Sequence, residues 1–406
     1  MSSRLPVLFI LMTVMIDAMG IGIIIPVMPA LILDIEGGTL ANAAIWGGIL
    51  SSSFAVMQFL FGPLIGNLSD RYGRRPILLV SLFVMAADYV VMAITHSIWI
   101  LLLARIVGGI AGATQSTAAA FMADTNPPEK RGAGFGLVSA AFGLGFVLGP
   151  LIGGLLGDLG PRAPFYAAAL LAFINFLFGL IVLPETVTDK TRRAFTLSRA
   201  NPFGAIKHIR ALPGLGRLLT VLLLYQLAFN AYPAIWAYFT QARFDWDTRM
   251  IGISLAVFGI SMALVQGGLI RIAIKHLGEV GTVMAGFSFA IISFSILAFL
   301  TNGWAALALT PVSAMAAMSV PALQAILSRQ TSEDAQGELQ GIFTSVGALA
   351  MILSPLLMTN VFAVFTAPNA PVYFPGAPFL ASLVLAFAGL LLFLRRRKAQ
   401  DDIRVT

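Results

Sequence analysis

Apolar residues run along this chain in long unbroken blocks, not in the alternating rhythm of a half-buried strand or the narrow stripe of a surface helix. A bilayer crossing takes about 20 mostly apolar residues. Twelve windows meet that length, at 6–33, 43–67, 76–95, 98–121, 133–157, 164–183, 217–240, 250–270, 280–300, 304–326, 339–364 and 375–394. They predict an all-α membrane protein of twelve spans. The first window follows Arg4 as a signal peptide would. It runs on past Pro26 and Pro29, contains Asp17 and has no small-residue cleavage site, so it is expected to stay as span one.

The longest polar stretch, Pro184 to Arg217, divides the spans six and six. The expected organisation is an N-terminal six-helix bundle at 1–183, a basic linker at 184–216, a second six-helix bundle at 217–394 and a basic tail at 395–406. Within the linker, Phe203, Ile206 and Ile209 beside Lys207, His208 and Arg210 fit either a short helix lying on the membrane or a solvated basic segment. Sliding the chain by 205 residues sets Gly73 on Gly278, Gly132 on Gly337, Gly136 on Gly341 and Pro150 on Pro355. The glycines punctuate turns and helix starts and the prolines fall within spans five and eleven, at equivalent points of the span order. They indicate two parallel repeats, as expected of halves related by an axis along the membrane normal.

Composition narrows the function classes. The chain is 58% apolar and 11% charged with a mean hydropathy of +0.91, against roughly 45–50% and about 25% in soluble domains. That excludes a soluble enzyme, a disordered chain and a nucleic-acid binder. There is no cysteine, hence no disulfide or thiolate metal site. Of the 25 Lys and Arg, 21 fall on the side holding both termini, three (Arg162, Arg243 and Arg249) on the other, and Arg105 within a span. Basic loops favour the cytoplasmic side, which makes both termini cytoplasmic. All five Trp sit at the opposite ends of the spans, where indoles prefer the interface. None of the five Lys follows a Gly, so there is no nucleotide-binding phosphate loop; any transport must draw on an ion gradient.

An ionised side chain at mid-bilayer costs roughly 2.5–3.5 kcal/mol on insertion scales and calls for a reason. Asp17, Asp88 and Arg105 lie inside spans. At about 1.5 Å per residue they share one depth, roughly 17–20 Å from the inner face. One guanidinium can neutralise one carboxylate; the other is left to exchange a proton or to stay a static protonated acid. Apart from Arg217 at the inner edge of span seven, the spans of the second half have no Asp, Glu, Lys or Arg. They offer Tyr225, Gln226, Asn230, Tyr232, Met262, Gln266 and Gln324 as a neutral wall for a ligand, or as packing and helix-to-helix hydrogen bonds. No metal-ligand cluster, Ser/His pair or soluble output domain is present, so neither a cofactor nor an enzymatic reaction is expected, and a non-transporting sensor is disfavoured.

Between spans two and three the chain reads Gly66-Asn-Leu-Ser-Asp70-Arg71-Tyr-Gly73-Arg74-Arg75-Pro76. Gly66 suits close helix approach, Gly73 a tight turn, and Asp70 can accept from arginines or face the positive end of a neighbouring helix. This loop resembles the signature of the major facilitator superfamily. With Asp124 after span four it forms the candidate inner gate. Span four carries Arg105 followed by Gly108, Gly109 and Gly112, similar to that superfamily's proton-coupling motif. In span five, Gly145, Gly149, Pro150, Gly153 and Gly154 resemble the hinge motif of its drug–proton antiporters; small residues four apart allow backbone contact and Pro150 a kink.

Nearly the whole chain resembles the tetracycline efflux proteins, notably at Asp17-Ala-Met-Gly-Ile-Gly, Ala163-Pro-Phe-Tyr, Ile251-Gly-Ile-Ser-Leu-Ala and Pro321-Ala-Leu-Gln324. That resemblance places Asp17, Gln58, Asp70, Asp88, Arg105 and Gln266 on the family's functional positions. It implies a monomeric carrier of the bacterial inner membrane that exchanges protons for a drug, in the family a tetracycline–divalent-cation chelate, by alternating access. The alternative is a proton-coupled carrier of another drug or a natural metabolite. Two positions depart from the family: Met262 replaces a His in span eight and Ala290 an Asp in span nine.

Overall fold

The computed structural model describes residues 4–112, 114–127, 130–189, 192–196, 201–202 and 215–405. The linker residues Lys190, Arg199 and Phe203 to Arg210, including the expected surface helix, lie outside them. All regular structure in the described residues is helical. Among the described residues eleven helices are long and apolar enough to cross a membrane: Leu5–Glu36, Leu40–Tyr72, Arg74–Ile94, Ile98–Thr125, Arg131–Gly157, Ala163–Val182, Gly216–Phe244, Thr248–Phe299, Gly303–Arg329, Glu333–Thr366 and Ala377–Arg395. They accommodate twelve spans because Thr248–Phe299, at 52 residues, holds two. At 1.5 Å per residue it would measure roughly 78 Å, more than twice a bilayer core. The join is Gly278, whose φ of 67° and ψ of 176° are not helical.

The repeat reaches into the backbone. Gly73, between spans two and three, has φ 114° and ψ 154°, so both 205-related turns rest on a glycine at positive φ, where a side chain would be strained. Pro150 and Pro355 both lie inside helices. Span four breaks at Gly112 between Ile98–Ala111 and Thr114–Thr125. The same offset carries Gly112 to Ala317, within the 3-10 turn Met315–Met318 that interrupts span ten. Span eight contains a π-helical turn, Val265–Leu269, around Gln266.

The chain gathers into two compact units. The first comprises Met1–Gly38, Leu50–Pro202 and Asp247–Ala256; the second Thr39–Ile49, Phe203–Trp246 and Val257–Thr406. The starts of spans two and eight thus each pack with the unit opposite to the rest of their own helix. In the first unit a methyl on Gly252 would stand 2.7 Å from the Cα of Gly154. In the second, one on Gly47 would overlap the Tyr238 hydroxyl and one on Gly48 would lie 3.1 Å from the Pro355 carbonyl oxygen. Gly47 and Gly252 are again 205 residues apart, and each needs to be small for the same reason. The first core gathers Phe9, Ile10, Val14, Leu78, Leu82 and Phe121. The second has an aromatic centre in which Tyr232 stacks on Phe258 and meets Trp236, Phe294 and Phe379.

Two of the three basic residues on the side opposite the termini are consumed by helix ends. Arg162 donates from NH1 to the carbonyls of Ala93 and Thr95, 3.0 and 2.6 Å away, at the C-terminus of span three. Its Nε and NH2 hold Asp34, at the end of span one, at 3.1 and 2.8 Å. Arg243 donates to the carbonyls of Leu300 and Phe299 at the C-terminus of span nine, and Leu300 is the repeat equivalent of Thr95. A cation there meets orphan carbonyls and the negative end of the helix dipole. Arg249, by contrast, is exposed. Hydrogen bonds from a charged donor contribute about 1.5–3 kcal/mol each. Arg162→Ala and Arg243→Ala are therefore expected to lower the apparent Tm of the purified protein by several degrees, with Arg249→Ala unchanged; equal behaviour of all three would remove the clamp assignment.

Candidate functional site

Spans three and four place their charges against each other. Asp88 and Arg105 form an ion pair between side chains only 4% and 7% exposed. The arginine's surroundings are built by span two and by its own glycines. The guanidinium lies over the Phe54 ring, 5.2 Å from its centroid. A methyl on Gly108 would stand 2.9 Å from Asp88 Oδ2, and one on Gly109 2.5 Å from the Phe54 carbonyl oxygen. Where span four breaks, the Gly112 carbonyl accepts from Gln58 Nε2 at 2.7 Å. Gln58 thus fills the acceptor that the break leaves open.

Asp17 stands apart from this pair. It is half-buried, and among the described residues no hydrogen bond or ion pair engages it. The turns on either side of it are gripped by span five. A methyl on Gly145 would overlap the Met15 carbonyl; on Gly149 it would stand 2.5 Å from the Met19 carbonyl oxygen, and on Gly153 2.6 Å from that of Ile23. Pro150 abuts Gly22 in return. Glycines four apart on span five therefore ride directly on the backbone of span one. Gly154 faces the other way, toward Gly252 and Thr248.

The signature loop is tied within the first unit. Arg74 bridges Asp70 at 2.6 Å and Asp124 at 3.1 Å, and donates to Ser69 Oγ at 3.0 Å. Of the two roles open to Asp70, the structure gives it acceptance from an arginine. Arg75 donates to the Leu180 carbonyl, while the exposed Arg71 lies over its neighbour Tyr72. Gly66 departs from expectation: a methyl there would meet nothing within 4 Å. Close approach is made instead at Gly73, where a Cβ would overlap the Glu185 carboxylate.

Glu185, at the start of the linker, is a residue that the sequence analysis did not single out. Its carboxylate accepts from the backbone N–H groups of Arg74 and Arg75, at 2.9 and 3.3 Å, and from those of Thr186 and Val187 at 2.9 Å. An acid at the first turn of span three also meets the positive end of that helix. The available signal was a carboxylate just past the end of span six, at the start of a linker in which basic residues outnumber acids.

In the second unit the neutral candidates do not converge as one polar cluster. Tyr232 is buried in the aromatic centre. Tyr225 donates to the Ala316 carbonyl in the span-ten interruption. The Asn230 amide turns back on the Gln226 carbonyl at 2.8 Å, at the break in span seven. Gln226, Met262 and Gln324 are half-buried and Gln266 is exposed on its π-turn. Ala290 is buried. Among the described residues no group of acids and histidines could hold a metal ion.

Comparison with known proteins now bears on this arrangement. A profile of the Major Facilitator Superfamily matches residues 10–355. The chain belongs to the Major Facilitator Superfamily. It is 42% identical over 363 residues to the tetracycline resistance protein, class C, of Escherichia coli, covering 89% of this chain and 91% of that one. To the class G protein of Vibrio anguillarum it is 38% identical, covering 92% and 98%. Among solved structures it resembles the human organic anion transporter MFSD10, at 25% identity and a TM-score of 0.69 over 97% of this chain and all of that one. The nucleoside transporter NupG shares the fold, with a TM-score of 0.73 at 15% identity over 96% and 99%. The protein is thus a multi-pass membrane transporter of this superfamily.

For this superfamily member the turn between spans two and three yields a direct test. Gly73→Ala sets a side chain at positive φ against Glu185, and Glu185→Ala leaves two backbone donors of span three uncapped. Each is expected to destabilise by about 1–3 kcal/mol. Because both act on one contact, the double variant should cost clearly less than the two single losses together; thermal unfolding of the four proteins measures it, and strict additivity would separate the two residues.

Proposed function

We propose that the protein exports an amphipathic, tetracycline-like drug in exchange for protons, by alternating access. It would act as a monomer in a bacterial inner membrane, with both termini in the cytoplasm. The observation that carries this reading is the unpaired Asp17 held between turns that span five grips through Gly145, Gly149 and Gly153. A carboxyl with no ion-pair partner at mid-bilayer can be neutralised by a proton. Its charge state then bears on a helix whose backbone is locked to the hinge. Arg105 and Asp88 serve as the fixed charges against which that proton is counted. Asp70, Arg74, Asp124 and Glu185 hold the cytoplasmic turn that must remake its bonds as the carrier alternates. The neutral residues of the second unit, Gln226, Asn230, Met262, Gln266 and Gln324, with Gln58 in the first, supply adaptable contacts to the drug. No catalytic reaction is assigned, and the carrier needs no resident cofactor; a divalent cation would travel as part of the substrate.

Tetracycline is the leading substrate because six relatives at 34–42% identity are tetracycline resistance proteins. A second reading, export of a different drug, is favoured by Met262 and Ala290, apolar where the resembled family places His and Asp. A susceptibility panel in a pump-deficient host, with and without an uncoupler, separates the two. Raised tolerance to tetracyclines that the uncoupler abolishes is the expected result; tolerance confined to other compounds selects the second reading, and none at all rejects both. Asp17→Asn and Asp88→Asn should each abolish proton-driven efflux while the protein still reaches the membrane.

A further inference from the structure

Tyr89 on span three carries a hydroxyl without a partner, in a region where Asp88 Oδ1 and Arg105 Nε are also unmet. Its side chain is only 4% exposed, and among the described residues its hydroxyl, which is not fully enclosed, has no hydrogen-bond partner in the protein. Buried phenols ordinarily find a partner. The hydroxyl lies in a notch of span one at Gly20, where any Cβ would overlap it. Gly20 is three residues from Asp17 and therefore on the same helix face. A donor without an acceptor thus faces an acid without a donor, and a glycine makes their approach possible.

The other elements packed on span one bring no competing ionisable group to this depth. Span five has only Arg131, at its far end, and span six only Tyr166, which is exposed. Span four brings Arg105, already held by Asp88. Asp88 immediately precedes Tyr89, so whatever turns the phenol also turns the acid that holds Arg105.

We propose that Tyr89 is the positioning residue that reads the charge of Asp17. Its hydroxyl donates to the ionised carboxylate and lets go when a proton arrives, so that span three, and with it Asp88 on Arg105, registers the proton. This structure shows the bond unmade. The inference rests on Asp17 being the proton site, and the test keeps the two apart.

The test titrates the infrared band of the protonated carboxyl that Asp17→Asn removes, in the full-length protein in lipid vesicles without drug. With the donor gone, Tyr89→Phe is expected to move the midpoint to higher pH by about one unit. Gly20→Ala, which displaces the hydroxyl, should do the same, and the double variant should shift no further than either alone. A Tyr89→Phe midpoint equal to that of the native protein overturns the proposal even if Gly20→Ala misfolds, and so does a native protein with no titrating band. Undiminished proton-driven flux in Asp17→Asn would instead overturn the underlying proton assignment, whatever the titration of Tyr89→Phe shows.

Discussion

Two carboxylates and one guanidinium lie within the spans of the first unit, the guanidinium pairs with only one of them, and much of the unit is arranged around that shortage. Desolvating Arg105 and Asp88 is tolerable only because they face each other; removing either partner from a buried pair typically costs about 3–5 kcal/mol. Their pairing sets the local sequence: Gly108 clears space for the carboxylate, Gly109 lets span two come close, and the Phe54 ring lies against the cation. Since Arg105 pairs with Asp88, leaving Asp88 Oδ1 and Arg105 Nε unmet, Asp17 has no fixed counter-charge. A proton is then the neutralising agent within reach.

The same glycines that look like packing convert this electrostatic fact into a mechanical one. Where helices touch through side chains, rotamers can absorb a small displacement. Where Gly145, Gly149 and Gly153 meet the main chain of Met15, Met19 and Ile23, nothing soft intervenes. Close-packed contacts of this kind shift between discrete arrangements and do not deform continuously. A change in charge at Asp17 therefore bears on span five with little slack, and span five carries Pro150 at the level of Gly22 and Gly252.

Much of this could be read from the sequence, and the limits have physical causes. Span number followed from apolar block length, even where Gly278 joins two helices into one. The repeat followed from turn glycines, because positive φ leaves few other residues able to stand there. Depth along a helix follows from counting residues, so Asp17, Asp88 and Arg105 could be set at one level. Which acid takes the arginine depends on azimuth and packing, which counting does not supply. Glu185 was hidden because its partners at Arg74 and Arg75 are backbone groups more than a hundred residues away in sequence. Tyr89 was hidden because an aromatic in an apolar span looks like filling until its hydroxyl is found without a partner. Gly66 misled in the opposite sense: its place in a known loop suggested a contact that Gly73 makes instead.

The 205-residue repeat also says why the chemistry is one-sided. Its backbone devices recur, in the turns at Gly73 and Gly278, the breaks near Gly112 and Ala317, and the arginine clamps on Thr95 and Leu300. The charges do not recur. The offset carries Asp17 to Leu222, Asp88 to Ser293 and Arg105 to Thr310, all buried and neutral. Thr310 spends its hydroxyl on the Ala306 carbonyl of its own helix, and Ser293 Oγ has no partner among the described residues. A second charged set at the equivalent depth would double the desolvation cost and supply a competing proton site. Keeping the scaffold while removing the charge leaves the second unit free to present aromatic and amide surface to an uncharged or self-neutralised molecule. On the proposed function, the first unit would handle the proton and the second the drug within one repeated design.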